Sequence, residues 1–576
     1  MRFSLPKLPE YSKRWILLDA LGIIVGLIGG LGAIVFRYML DWTTYLFFNI
    51  LLPLISFNLY GFNIGLIALP SLGGLIVGII VMKFAPETKG HGVPEVMEAV
   101  ALKGGRIRKR VAFMKVIVSS ITIGSGGSAG REGPIAQIGS TIGSIFGQAF
   151  KLDPRDVRLL VVSGMSAGIA GTFNAPLGGA IFGLEILFRG IGVFNAVPVI
   201  LASVVGAATA SSVLGQQPSF IAPILTSWNP QELIFFILLG AIFGIISVVW
   251  VKTFYSVEDI FENLKIPGQL KPALGGLLTG LLVMLFLNFG VNGVGYEGVN
   301  MALAGELSII MLLLLGIVKL FATSFTVGSG GSGGIFAPSL FIGAMFGGAL
   351  GLIFQQAFPL IVDEPFIYVL IGMGALFAGS AQAPLNVILM IPEMSGSYTL
   401  IAPMMASSVT SFFVAWMFLK GSSIYTIKLE RRGLKLRMGR SYVLDSIKVE
   451  EVMTKDVLAL NSKMPVSHLE LIFEEHHHMG YPVIDGGELM GIITVSDIQK
   501  IPHQTRSRVT IGEAATKNVI VVYPDETVHI AEDKIYENKI GRLPVVSRDD
   551  PKKIVGIISR TDIICAQEIV DNRSEE

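Results

Sequence analysis

The sequence predicts an all-α polytopic membrane domain of two repeated halves with broken helices, followed by a cytoplasmic α+β pair of smaller repeats. Three observations predict it: an uneven division of charge, a series of long apolar stretches, and repeats at two scales. Of 576 residues, 49 Asp, Glu, Lys and Arg fall in 1–440, about 11%, and 38 fall in 441–576, about 28%. A soluble domain carries roughly 25%, so only the second part reads as soluble. The boundaries follow: 1–440 is a transmembrane domain, and 441–502 and 503–576 are the two soluble repeats.

The apolar stretches lie near 15–37, 63–84, 195–215, 231–252, 272–290, 307–325, 340–357, 366–392 and 400–419. Each approaches the about 20 residues that a membrane span needs. The first lacks a cleavage pattern before it and reads as a retained helix. Shorter stretches near 111–123, 134–149, 159–171 and 176–188 are interrupted by Gly and Pro. Broken helices at membrane depth survive only where protein or a polar cavity satisfies their backbone, and they point to a transport site. Arg2, Lys7, Lys13 and Arg14 precede the first stretch, and Lys428, Arg431, Arg432, Lys435, Arg437 and Arg440 follow the last. Basic residues flanking spans favour the cytoplasmic side. Both termini are therefore expected there, with an even number of crossings.

The repeats carry the chemistry. Gly124 to Pro134 (GSGGSAGREGP) returns as Gly328 to Pro338 (GSGGSGGIFAP), 204 positions later. Gly164 to Leu177 returns as Gly372 to Leu385, and Glu185 as Glu393, both 208 positions later. Two ordered matches at nearly one offset mark a duplicated half, parallel or inverted, with a site expected at the interface of the halves. Three Gly-rich elements end in or next to proline: Gly90 to Glu95 (GHGVPE), Gly130 to Pro134 (GREGP) and Gly334 to Pro338 (GIFAP). Proline suits a first helical turn, and glycine admits close backbone approach. Unpaired amides at several converging helix starts would hold an anion without a full positive charge. One such element alone would read as close helix packing; three with the repeat read as a site.

These elements resemble the three signature motifs of the CLC family of chloride channels and transporters. Gly130 to Pro134 and Gly334 to Pro338 match fully, and Gly90 to Pro94 matches except at its second residue. The resemblance implies inverted halves and a homodimer with one pathway per subunit, moving chloride through a lipid bilayer. It implies an anion held at His91, Gly92, Val93, Gly334, Ile335 and Phe336, with the Tyr425 hydroxyl contacting the central anion. Glu132 resembles the gating glutamate, whose carboxylate takes the outer anion position and leaves it on protonation. A lone intramembrane Glu is costly and functional by default; its plainer reading is a pair with Arg131.

Two departures bear on mechanism. His91 stands where the family most often has serine. A neutral imidazole donates one hydrogen bond to an anion, and a protonated one would make transport pH-dependent; otherwise the ring turns away and only the backbone acts. Ile186 stands where family exchangers often carry an internal proton-transfer glutamate, while Glu185 reads as structural. Isoleucine relays no proton. The expectation therefore leans to a passive chloride channel, with proton-coupled exchange, resting on Glu132, as the alternative.

In the soluble part, Tyr481-Pro-Val-Ile with Gly491 to Asp497 (GIITVSD) returns as Leu543-Pro-Val-Val with Gly556 to Asp562 (GIISRTD). The pair resembles two CBS domains. The resemblance implies an adenine nucleotide (ATP, ADP or AMP), hydroxyls of Thr494 and Ser559 on phosphate, and Asp497 and Asp562 on ribose. The alternative is a dimerisation module whose Ser, Thr and Asp only cap helices. His476, His477 and His478 read as a solvated helix end rather than a metal site, because adjacent residues face different ways on a helix.

Other classes find little support. A net charge of +1 argues against nucleic acid as a partner. One cysteine, Cys565, excludes an internal disulfide framework. Neither HExxH nor GxxxxGK[ST] occurs, and no Ser-His-Asp constellation emerges, so an enzyme is not expected and no cofactor is required. A cation transporter would need more intramembrane carboxylates than Glu132, Glu185, Glu306 and Glu393.

Overall fold

Among the described residues the apolar stretches fold into two matching sets of eight helices. The computed structural model describes residues 10–188, 193–216, 219–220, 228–434, 444, 447–476, 478–538, 540–563 and 565–566. Arg2, Lys7, Lys435, Arg437, Arg440 and His477 lie outside them. In the first half, α1 is Glu10–Thr44, α2 Gly65–Phe84, α3 Val93–Leu102 and α4 Arg110–Gly124. Then come α5 Glu132–Ala149, α6 Pro154–Phe173, α7 Pro176–Gly183 and α8 Val193–Leu214. The second half repeats the order: α9 is Leu233–Asn263, α10 Lys271–Phe286, α11 Tyr296–Leu303 and α12 Ile309–Gly328. It closes with α13 Phe336–Ala357, α14 Phe366–Ala381, α15 Pro384–Ser395 and α16 Ile401–Leu419. Eight helices among the described residues are long and apolar enough to cross a membrane.

Equivalent helices pack alike. In one half α5 lies on α6, α6 on α8 and α8 on α1; in the other α13 lies on α14, α14 on α16 and α16 on α9. The halves meet through equivalent partners, α2 on α10 and α7 on α15. Small residues let the backbones touch. A methyl on Gly372 of α14 would stand 2.8 Å from Gly347 Cα of α13. Such close approach lets dispersion replace the hydrophobic drive that lipid does not supply.

One predicted span is corrected. The stretch 366–392 is two helices, α14 and α15, not one. Gln382 adopts a left-handed conformation (φ 57°) two residues before Pro384. Asn174 does the same (φ 53°) two residues before Pro176, between α6 and α7. The left-handed turn and the proline stop each helix for the same reason. Helix α3 has 10 residues and α11 has 8. At about 1.5 Å per residue neither crosses a bilayer.

The soluble unit is built of two α+β repeats. In the first, β1 (Leu460–Asn461) runs parallel to β2 (Gly480–Asp485), which pairs antiparallel with β3 (Glu488–Thr494). In the second, β4 (Arg542–Val546) pairs antiparallel with β5 (Ile554–Ser559), and a single bridge from Val522 to Val545 stands in for β1. The repeats exchange their leading segments. Ile447 and Val449 pack in the second core, while Ile511 and Ala515 pack in the first. The boundary at 502/503 thus divides the chain but not the packing.

Candidate anion pathway

The three Gly-rich elements converge at the interface of the halves. Gly90 to Gly92 leads into α3, Gly130 and Arg131 into α5, and Gly334 and Ile335 into α13. Gly130 and Gly334 exchange both backbone hydrogen bonds, at 2.7 and 2.6 Å. Gly90 donates to Gly331 at 3.1 Å and accepts from Gly333 at 3.3 Å. The other half mirrors this: Gly293 donates to Gly127 at 3.0 Å and accepts from Ala129 at 3.2 Å. A methyl on Gly133 would stand 3.0 Å from Gly334 Cα and 3.1 Å from the His91 carbonyl carbon. All three elements therefore meet at the start of α5.

Glu132 is the first residue of α5, and 1% of it is exposed. Its Oε2 accepts from the Ala337 amide at 3.3 Å, in the first turn of α13. Its Oε1 is buried with no hydrogen-bond partner among the described residues. The carboxylate thus rests on one of the helix-start amides that would otherwise face an anion. No ion pair with Arg131 forms among the described residues. The Arg131 guanidinium lies instead over the rings of Phe173 (5.9 Å) and Tyr296 (5.3 Å).

His91, Val93, Ile335, Phe336 and Tyr425 are all buried, as are Gly92 and Gly334. An aromatic chain links the first element to the third: Phe254 to His91 at 6.1 Å, His91 to Tyr425 at 5.7 Å, Tyr425 to Phe377 at 6.3 Å, and Phe377 to Phe336 at 4.5 Å. Tyr425 is held by its own turn, where its amide donates to Ser423 Oγ at 3.3 Å. The Tyr255 hydroxyl braces that turn by donating to the Ile424 carbonyl at 2.7 Å. Both nitrogens of His91 lack a hydrogen-bond partner among the described residues.

Two cavities flank this junction and share no lining residue. One, of about 380 Å³, is lined by Arg37, Asp41, Arg131, Phe173 and Tyr296. The other, of about 710 Å³, is lined by Glu95, Gln137, Glu258, Lys428 and Arg432 among others. Three basic residues that line it are paired: Lys428 with Glu95 at 2.8 Å, Arg432 with Glu98 at 2.6 Å, and Arg431 with Asp259 at 2.5 Å.

Ile186 is buried in a π-helical turn, Leu184–Phe188, that continues α7. Glu185 beside it caps α15, accepting from the amides of Leu385 (3.0 Å) and Asn386 (2.6 Å). Glu393 does the same for α7, accepting from Leu177 (3.0 Å) and Gly178 (2.8 Å).

Two buried lysines escaped the sequence reading. Lys115 Nζ donates to the carbonyls of Thr88 (3.0 Å) and Gly90 (2.9 Å). Lys319 Nζ donates to Gly290, Val291 and Gly293 at 3.0, 3.1 and 3.0 Å. Each clamps the loop that leads into a short helix, α3 or α11. A lysine inside an apolar run, repeated at the 204 spacing of the Gly-rich elements, was the available signal.

In the soluble unit Thr494 and Asp497 line a cavity of about 430 Å³ with Thr516, Asn518 and Arg542. Ser559 and Asp562 do not line it. All four residues act in caps. Asp497 Oδ2 accepts from the Thr494 hydroxyl (2.7 Å) and amide (3.1 Å), and Asp562 Oδ2 from those of Ser559 (2.8 and 2.7 Å). No cluster of metal-binding side chains occurs among the described residues.

Comparison with known proteins shows which family the chain resembles. Residues 73–416 match the voltage gated chloride channel family, and 449–503 and 511–568 match the CBS domain. The H(+)/Cl(-) exchange transporter ClcA of Yersinia pestis is 32% identical, covering 76% of this chain and 92% of its own. The chloride channel protein CLC-f of Arabidopsis thaliana is 26% identical, covering 86% of this chain and 72% of its own. The crystal structure of a slow cyanobacterial Cl-/H+ antiporter superposes with a TM-score of 0.64 at 30% identity, covering 72% of this chain and 97% of that one. The chain therefore belongs to the voltage gated chloride channel (CLC) family, as an integral membrane anion-transport protein of two inverted halves with a C-terminal pair of CBS domains.

Proposed function

We propose that the protein exchanges chloride, or a similar anion, for protons across the bilayer, with Glu132 as gate and proton carrier. The observation that carries this reading is the Glu132 carboxylate on the Ala337 amide, with its second oxygen unpartnered. Ionised, it competes with an anion for helix-start amides; protonated, it loses the charge that holds it there. A proton bound and an anion admitted are then one event. The anion is held by His91, Gly92, Val93, Gly334, Ile335, Phe336 and Tyr425. The names of the Yersinia and cyanobacterial relatives support exchange. A passive channel is the second reading, and Ile186 favours it because an alkyl side chain carries no proton.

The decisive measurement uses the full chain in sealed liposomes under a chloride gradient, with chloride and internal pH followed together. Protons driven against their own gradient support exchange. Chloride flux without driven protons supports the channel and sinks the exchange reading. We further propose that both termini are cytoplasmic, that the protein is a homodimer, and that ATP, ADP or AMP binds at the cavity of Thr494 and Asp497. No other cofactor is required. Unchanged CBS-domain hydrogen exchange at saturating ATP, ADP and AMP would refute the nucleotide site.

A further inference from the structure

Exchange requires a proton to travel between Glu132 and the solution on the far side of the junction. Glu185 and Glu393 are unsuited, since both oxygens of each are engaged by helix amides. Ile186 carries no proton. Lys115 is engaged by two carbonyls. His91 differs from all of these. It is 2% exposed, and both of its ring nitrogens lack a partner among the described residues. A buried imidazole left so costs stability unless something transient satisfies it.

Its position suits a transfer. The carbonyl of His91 lies against Gly133, next to Glu132, as the close approach described above requires. On its other side the Gly90–Gly92 loop meets the charged cavity. A methyl on Gly90 would stand 3.1 Å from Lys428 Nζ, and one on Gly92 would stand 2.9 Å from Gln137 Oε1. Lys428 and Gln137 both line that cavity, as does Glu95. Gln137 Oε1 and Glu95 Oε2 are, like the imidazole, buried without hydrogen-bond partners among the described residues. Unpartnered polar atoms thus occur on the cavity lining, on the His91 ring and on Glu132.

We propose that His91 is the proton relay between the charged cavity and Glu132, in place of a carboxylate at Ile186. This rests on the exchange reading. One ring nitrogen binds a proton from cavity water, giving imidazolium. The other nitrogen gives up its proton toward the Glu132 carboxylate, and the ring returns to neutral imidazole. No electron moves and no co-reactant beyond water is needed. The charged groups facing the ring are Lys428, Glu95, Lys115 and Arg432. Burial first, and then the three cations, oppose imidazolium, and the Glu95 carboxylate favours it. An anion bound at the junction adds a second favourable charge. Proton passage is thereby tied to anion occupancy, which is what coupling demands.

The test measures protons moved per chloride in liposomes for the full wild-type chain, His91→Gln and His91→Ser. The ratio is the readout, so a change in turnover does not obscure it. The expected result is uphill proton movement in the wild type and, in variants whose chloride flux is lowered but measurable, a ratio near zero. A variant that keeps the wild-type ratio overturns the relay while the exchange reading stands. Loss of chloride flux in both variants also overturns it, since His91 would then serve the anion alone. A wild type that moves no protons overturns the exchange reading and the relay together.

Discussion

Gly130 and Gly334, equivalent residues of the two halves, donate their amides to each other's carbonyls at 2.7 and 2.6 Å. A residue that pairs with its own equivalent lies on the two-fold relation between the halves, as in an isologous interface. Neighbouring contacts obey the same relation. Ser128 donates its amide to Thr326 Oγ1 at 3.0 Å, and Ser332 donates its amide to Thr122 Oγ1 at 3.2 Å. The proposed pathway is thus assembled where the halves meet, and substitutions there test it most directly.

Gly334 has no room for a side chain. A methyl there would stand 2.7 Å from the Gly133 amide nitrogen and 3.0 Å from Glu132 Oε2. Gly334→Ala should displace the carboxylate and the anion position together. Chloride efflux should be abolished, with a stability cost of about 1–3 kcal/mol for overpacking. Efflux and thermal unfolding of the same preparation check both.

Glu132→Gln keeps the shape of the side chain but neither ionises nor carries a proton. Chloride flux should persist, lose its dependence on pH and move no protons. Flux recorded across pH 4.5 to 8 checks this, and an unchanged pH profile would remove Glu132 from the gate.

Glu185 and Glu393 each accept two amides at the start of a helix in the other half. Replacing either by Ala should destabilise the membrane unit by about 1–3 kcal/mol, the range for losing hydrogen bonds to a charged group. The two losses should be similar, because the contacts are equivalent. Proton-to-chloride ratio should not change. A changed ratio in Glu185→Ala would move that residue from scaffold to pathway.

Asp497 offers a pH test outside the membrane. Burial pushes its carboxyl up, but hydrogen bonds from Thr494 and Lys500 together hold it below its usual value. A carboxyl lowered in the folded state stabilises it above the unfolded value and loses that contribution as pH falls through the folded one. Asp497→Asn should therefore weaken the first CBS repeat at pH 7, with the difference from wild type shrinking as pH falls below the ordinary carboxyl value of about 3.9. Hydrogen exchange across 480–499 in the full chain measures both conditions.

The division into membrane and soluble parts, the duplication and the Gly-rich helix starts are legible in the amino-acid sequence alone. Charge density, repeat spacing and glycine–proline punctuation are local properties, legible without a fold. The cost of a lone intramembrane carboxylate marked Glu132, and the resemblance to the CLC motifs marked His91 as a departure. Tertiary structure decided what those residues touch. The capping of α15 by Glu185 joins positions 200 apart, and no local pattern encodes such a pair. The break of 366–392 into two helices depends on Gln382 taking a left-handed turn before Pro384, as Asn174 does in the other half. The clamps of Lys115 and Lys319 satisfy carbonyls that only the folded loops expose. The proposed site depends on two halves closing on each other through Gly130 and Gly334, because amides at separate helix starts converge only once that packing is complete.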